Sequence, residues 1–261
     1  MARLQALIAA LLSLALWATT AQAAHWQPQP GTTFEWILDN YTGTIPSAAV
    51  IDADLFDTSA ATVAKLHAKG KKVICYINVG AWENWRPDRA SFPASVIGKA
   101  YDGWAGERWL DIRKLSILAP ILAKRLDRCK AKGFDAVEPD NLDGYEQDSG
   151  FNITASDQLR FITWLADAAH RRGLSIGLKN VPEFVPKVLT RFDWALTEDC
   201  YDQGWCNAMT PFITAKKAVF AVEYTDTGIN FDRFCAKAKT LKLSGLLKRR
   251  LLTAWSRRCP A

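Results

Sequence analysis

Eight short apolar runs rich in β-forming residues recur along this chain, and stretches of helical period separate most of them. The runs are Phe34–Leu38, Ala48–Ala53, Lys72–Asn78, Phe134–Glu138, Leu174–Leu178, Asp193–Thr197, Ala218–Val222 and Leu243–Lys248. Several are continuously apolar, as parallel strands covered on both faces must be. Helical patterns cover Ser59–Ala68, Leu115–Lys132, Ser156–Arg172 and Phe231–Leu241, with Ser156 read as an N-cap. Gly70, Gly133 and Gly173 follow basic helix ends, where a left-handed C-cap is needed. Eight such strands with intervening helices predict an α/β fold, a single closed (β/α)8 TIM-like barrel. The connection after the first strand is too short for a regular helix, so one outer helix is expected to be missing. Residues 81–113 form a long insertion after the third strand, and Trp82, Trp85, Trp104 and Trp109 argue against its being disordered.

The first residues read as a leader and not as part of the barrel. Arg3 precedes an apolar run from Leu7 to Trp17, and Ala21-Gln22-Ala23 offers a cleavage site. The expectation is a signal peptide over residues 1–23 and one domain over 24–261, exported, monomeric and without stable membrane insertion. All six cysteines lie beyond the leader, which favours disulfides. Cys200 and Cys206 are spaced for a local staple; the other pairings stay open, and so do free thiols at Cys75 and Cys129. The net charge of +6 is carried by helix-like segments and by C-terminal Lys and Arg pairs, with no nucleic-acid motif beside it, so a solvated surface is expected and no nucleic-acid partner.

Function is read from the strand ends. A βα barrel builds its catalytic face from the C-terminal ends of its strands, and here those places are acidic. Asp52 and Asp54 end the second strand. Glu138, Asp140, Asn141 and Asp143 lie at the end of the fourth, Glu198 and Asp199 at the sixth, and Glu223 and Tyr224 at the seventh, with Lys179 and Asn180 at the fifth. Clustered carboxylates resist ionisation together, so their coexistence needs a cause. A metal is one cause, but His25, His67 and His170 all fall away from the rim, so no metal and no cofactor are expected; an all-oxygen calcium or magnesium site ranks low. Internal ion pairing is another, through Lys179, Arg86 or Arg108, yet these cations are fewer than the acids. A polysaccharide cleft explains both the acids and the aromatics, because sugar rings pack on Tyr and Trp while their hydroxyls need fixed polar partners. Tyr76, Trp82, Trp85, Tyr145, Tyr201, Trp205 and Tyr224 are in or just after strand ends.

At these residues the chain resembles the endo-α-1,4-polygalactosaminidases of glycoside hydrolase family 114. The phrases that carry the resemblance include Ile51-Asp52-Ala53-Asp54, Val73-Ile74-Cys75-Tyr76, Glu83-Asn84-Trp85-Arg86-Pro87-Asp88 and Gly106-Glu107-Arg108-Trp109. Glu138-Pro139-Asp140-Asn141, Gly177-Leu178-Lys179-Asn180, Glu198-Asp199-Cys200 and Val222-Glu223-Tyr224 continue it in order. The family usually has a second Glu where this chain has Asp199. The resemblance implies a TIM-barrel catalytic domain, a linear substrate rich in α-1,4-linked galactosamine, internal cleavage, and catalytic carboxylates at Asp140 and Glu198. A cationic amino-sugar polymer suits the acidic rim.

Two carboxyls flanking the bond are the standard need of glycoside hydrolysis. On the fourth and sixth strands their backbones are about 10 Å apart, and inward-leaning side chains close to about 5 Å, the retaining geometry. Asp140 is read as nucleophile and Glu198 as acid/base, by analogy with α-retaining barrels; the reverse assignment stays open. Asp52, Asp54, Tyr76, Glu138, Asn141, Asp143, Lys179, Tyr201, Glu223 and Tyr224 are the expected substrate contacts. Two rival readings are a non-catalytic polysaccharide-binding barrel, which would not need both acids, and a metal-dependent deacetylase, which lacks rim histidines.

Overall fold

The computed structural model describes residues 25–39 and 41–260; the expected leader over 1–23 lies outside the described residues. In chain order the strands are β1 (Phe34–Ile37), β2 (Val50–Asp54), β3 (Lys72–Asn78), β4 (Ala81–Glu83), β5 (Ile97–Ala100), β6 (Glu107–Leu110), β7 (Ala136–Asp140), β8 (Ser175–Lys179), β9 (Trp194–Glu198), β10 (Val219–Tyr224), β11 (Ser244–Lys248) and β12 (Ser256–Arg258). The main sheet runs β1-β2-β3-β7-β8-β9-β10-β11-β12, parallel except for the antiparallel β12. It curls into a nearly closed barrel. At the seam, Lys248 Nζ meets Glu35 Oε1 at 3.1 Å, Ser244 Oγ donates to Thr32 O at 2.7 Å, and Leu38 N donates to Leu252 O at 2.9 Å.

Side chains alternate in and out along each strand. Phe34, Trp36, Val50, Ile74, Trp194 and Phe220 fill the barrel interior. Their outward neighbours, such as Ile51, Val73, Val137, Ile176 and Ala221, bury against the helices in a second, larger core. Each large apolar side chain buried this way contributes roughly 1.5–3 kcal/mol. Two cores divided by one sheet demand apolar residues on both strand faces, which is why the runs read as continuous.

The helices are α1 (Ala60–His67), α2 (Leu115–Ala131), α3 (Ala155–His170), α4 (Val185–Val188), α5 (Thr210–Thr214) and α6 (Phe231–Leu241). No helix follows β1 among the described residues, as expected from the short connection, and the links after β8 and β9 carry only the short α4 and α5. The N-cap of α3 is Thr154 and not Ser156: Thr154 Oγ1 accepts from Asp157 N at 3.1 Å while Asp157 Oδ2 accepts from Thr154 N, a reciprocal capping box. Ser156 is left inside the first turn.

The insertion after β3 folds as a small antiparallel sheet, β4-β6-β5. Its entry is tight. A Cβ on Gly80 would come 1.7 Å from the Asn141 carbonyl oxygen, so only glycine fits where the insertion leaves the barrel. Cys75 and Cys129 join β3 to α2, so they are not free thiols; Cys200–Cys206 forms the local staple, and Cys235–Cys259 ties α6 to the chain after β12. No helix of the described residues is long and apolar enough to cross a membrane.

Candidate active site

The inward-facing positions change from apolar to polar near the C-terminal ends of the strands. Asp140, Lys179, Glu198 and Tyr224 are the last residues of β7, β8, β9 and β10, and they share one mouth. The next residues Asn141, Asn180 and Asp199 take left-handed backbone angles, φ 62°, 53° and 54°. Asn and Asp tolerate that region better than most residues, so Asp140, Lys179 and Glu198 are each followed at once by a sharp change of backbone direction.

Lys179 is the centre. Its side chain is 2% exposed, and Nζ donates to Asp140 Oδ1 at 2.8 Å and to Glu138 Oε1 at 2.9 Å, with Glu198 Oε2 at 3.1 Å. Because Asp140 Oδ1 and Glu198 Oε2 lie on one nitrogen, they are at most about 6 Å apart. Burial works against the ammonium, but Asp140, Glu138 and Glu198 outweigh it and hold its pKa well above the usual lysine value. The cation also sits 4.7 Å from the centre of the Trp36 ring. Asp140 and Glu198 each have a second donor: Tyr76 Oη reaches Asp140 Oδ2 at 2.9 Å, and Tyr224 Oη donates to Glu198 Oε1. Glu198 N donates to Asn180 Oδ1 at 2.8 Å, which fixes the backbone behind that acid.

These groups open into a cleft of about 920 Å³. Of the residues expected at the substrate, Asp54, Tyr76, Asn141, Asp143, Lys179 and Tyr224 line it together with Asp140 and Glu198. Asp54 is already committed to Arg86, with contacts of 2.6 and 3.0 Å. Asp143 is pushed up to about 6 by burial and the charge of Asp140. Asp52, Glu138, Tyr201 and Glu223 do not line the cleft. Asp52 and Glu138 are completely buried beneath it. Glu223 is also fully buried and accepts from Tyr201 N at 2.7 Å and Asp202 N at 3.2 Å, so it anchors the loop after Glu198; Tyr201 packs on Phe234.

Some cleft residues were not singled out from sequence. Trp36 looked like an ordinary strand residue. Tyr101, Trp104 and Glu107 come from the insertion, whose sheet carries them over the mouth. Glu107 accepts from Asn78 Nδ2 at 3.0 Å and is pushed up to about 8 by burial and by the charges of Asp140 and Glu83. Trp85 and Trp104 are 47% and 43% exposed, a surface fit for stacking. The closest grouping of metal-type side chains among the described residues is Cys200, Cys206 and Glu223, but its two sulfurs are joined in a disulfide.

The sequence model of glycoside hydrolase family GH114 matches residues 15–261. The chain belongs to family GH114. Its barrel superposes on that of Aspergillus fumigatus Ega3, solved in complex with galactosamine, with 36% identity and a TM-score of 0.82, covering 90% of this chain and 98% of Ega3. The glycoside hydrolase domain of PelA from Pseudomonas aeruginosa shares the fold at 14% identity and a TM-score of 0.66, over 86% of this chain and 96% of that domain. No curated protein sequence matches the chain. The GH114 assignment makes the protein a glycosidase.

Proposed function

We propose that this GH114 protein is an exported endo-acting hydrolase of α-1,4-linked, galactosamine-rich polysaccharide, with Asp140 as nucleophile and Glu198 as acid/base. The observation that carries the reading is the convergence of both carboxylates on Lys179. A limit of about 6 Å between their facing oxygens is compatible with the separation of about 5–5.5 Å between the carboxyl groups of retaining enzymes.

Asp140 has a donor on each oxygen, Lys179 on Oδ1 and Tyr76 on Oδ2, which fixes its orientation in the mouth of the barrel. In the first step Asp140 attacks the anomeric carbon as Glu198 gives its proton to the leaving oxygen. In the second, Glu198 takes a proton from water, which attacks the same carbon and releases Asp140. Anomeric configuration is kept. Lys179 touches both acids, while Tyr76 holds Asp140 and Tyr224 holds Glu198, so the two stay in register.

The substrate class follows from charge. Asp143, Glu146, Glu183 and Asp199 surround the catalytic pair, while Arg250 is held at 2.8 Å by Asp199. An acidic trough on a protein of net charge +6 selects ammonium-bearing chains locally although the whole molecule repels them. Ega3 holding galactosamine supports the same sugar. Three disulfides support export through an oxidising compartment, with cleavage after Ala23. The test is product analysis after incubation with partly deacetylated galactosaminogalactan, with chitosan as control. Galactosamine oligomers are the expected products; cleavage of chitosan alone, or of neither polymer, would refute the proposal.

A further inference from the structure

Beneath the catalytic pair lies a second pair of carboxyls that the mechanism does not use. Asp52 on β2 and Glu138 on β7 are both completely buried. Glu138 Oε1 is taken by Lys179, whereas Glu138 Oε2 and both oxygens of Asp52 find no amide, amine or hydroxyl donor among the described residues. Their carboxyls are in hydrogen-bonding contact with each other. Two carboxylates cannot hydrogen-bond without a proton between them, and two adjacent buried anions would repel strongly.

Charge counting around Lys179 gives the same answer. The charged or titratable groups around this pair and Lys179 are Tyr76 from β3, Asp140 from β7, Glu198 from β9 and Tyr224 from β10, and the Trp36 ring of β1 covers the ammonium. Lys179 is the one cation in this cluster. With Asp52 ionised, four carboxylates would share a single buried ammonium. With one proton held between Asp52 and Glu138, the pair presents a single negative charge to the base of Lys179, and the ammonium is stretched between that pair and the two catalytic acids above it.

We propose that Asp52 is a permanently protonated carboxylic acid that donates to Glu138 Oε2, and that this hydrogen bond positions Lys179 between Asp140 and Glu198. Asp52 is thus a positioning residue that never touches substrate. Burial and the neighbouring Glu138 charge raise its pKa well above the usual aspartate value, in keeping with that state. The positioning role rests on the catalytic reading given above; the protonation state does not.

Two measurements test it separately. Difference infrared spectroscopy at neutral pH, without substrate, compares wild type with Asp52→Asn, and a carbonyl stretch of a buried protonated carboxyl is expected in the wild type and lost in the variant. Absence of the band from the wild type overturns the inference whatever the enzyme cleaves. Kinetics then compare two folded variants. Asp52→Asn keeps a donor of the same shape and should retain kcat within about threefold, whereas Asp52→Leu removes it and should lower kcat by about 100-fold with KM nearly unchanged, as loss of alignment predicts. Loss of kcat in a folded Asp52→Asn variant comparable to that in Asp52→Leu, or wild-type kcat in Asp52→Leu, overturns the positioning role. If Asp52→Leu does not fold, Asp52→Asn alone decides, with a fall in kcat beyond about tenfold counting against it.

Discussion

Lys179 Nζ and Asp140 Oδ1 lie 2.8 Å apart at the top of a barrel, above the buried carboxyls of Asp52 and Glu138 and an otherwise hydrocarbon interior. An ammonium in that place is stable only because three carboxylates surround it, and the carboxylates are tolerable only because of the ammonium. Neither half of the cluster can be removed alone.

Lys179→Met therefore leaves Glu138, Asp140 and Glu198 without their shared cation. Stripping one partner from a buried ion pair costs about 3–5 kcal/mol, and misplacing the two acids lowers kcat by about 100-fold. Urea unfolding and steady-state kinetics should show both losses. A variant as stable and as active as the wild type would mean that the acids are organised by something else.

The roles of the two acids separate by the stereochemistry of azide rescue. With an activated α-glycoside, Glu198→Ala should yield the α-glycosyl azide, since azide attacks a covalent intermediate on Asp140. Asp140→Gly should instead yield the β-azide by direct displacement. The opposite pattern of products assigns the roles the other way round.

Much of this site was legible because parallel barrel strands announce themselves as apolar runs, and acids at their ends stand out. The strand ends themselves extend one or two residues further than expected, to Asp54, Asp140, Lys179, Glu198 and Tyr224. A polar residue reads as the end of a strand, yet the barrel mouth accommodates charge on its inward face while the backbone ladder continues. Parity was the signal left unused. Glu223 and Tyr224 are adjacent in one strand, so only one of them can face the cleft, and it is Tyr224. Contacts distant in sequence were harder to read: Arg86 was a candidate partner for a strand-end acid, but its choice of Asp54 and the placing of Tyr101 and Glu107 depend on how the small sheet docks on the barrel, and Cys75 with Cys129 on how α2 packs against β3.

Glu107 gives a pH signature. Its carboxyl is raised from 4.5 to about 8, so between those values the folded protein keeps a proton that the unfolded chain has released. Stability contributed by this group is therefore present at low pH and lost as pH rises towards about 8. Glu107→Gln cannot titrate. The difference in unfolding free energy between about pH 5 and pH 8 should shrink by more than about 1 kcal/mol in the variant; an unchanged difference would show that Glu107 ionises as freely when folded as when unfolded.

The disulfides divide into a strut and a local clamp. Cys75–Cys129 spans 54 residues and Cys200–Cys206 only 6, so by chain entropy their removal should cost about 4 and about 2 kcal/mol respectively. The smaller staple begins two residues after Glu198, and its loss should raise KM at temperatures where the barrel is still folded. Thermal melts beside kinetics for Cys200→Ser/Cys206→Ser will show it; an unchanged KM would detach this loop from substrate binding.

If Asp140 and Glu198 act on one linkage by two successive displacements, the anomeric configuration is retained at cleavage. Proton NMR of the first reducing ends released from a galactosamine oligomer, recorded before mutarotation, reads that directly. The α-anomer should appear first and the β-anomer only as the sugar equilibrates. If the β-anomer is the initial product, water attacks without an intermediate on Asp140, and the assignment made here fails.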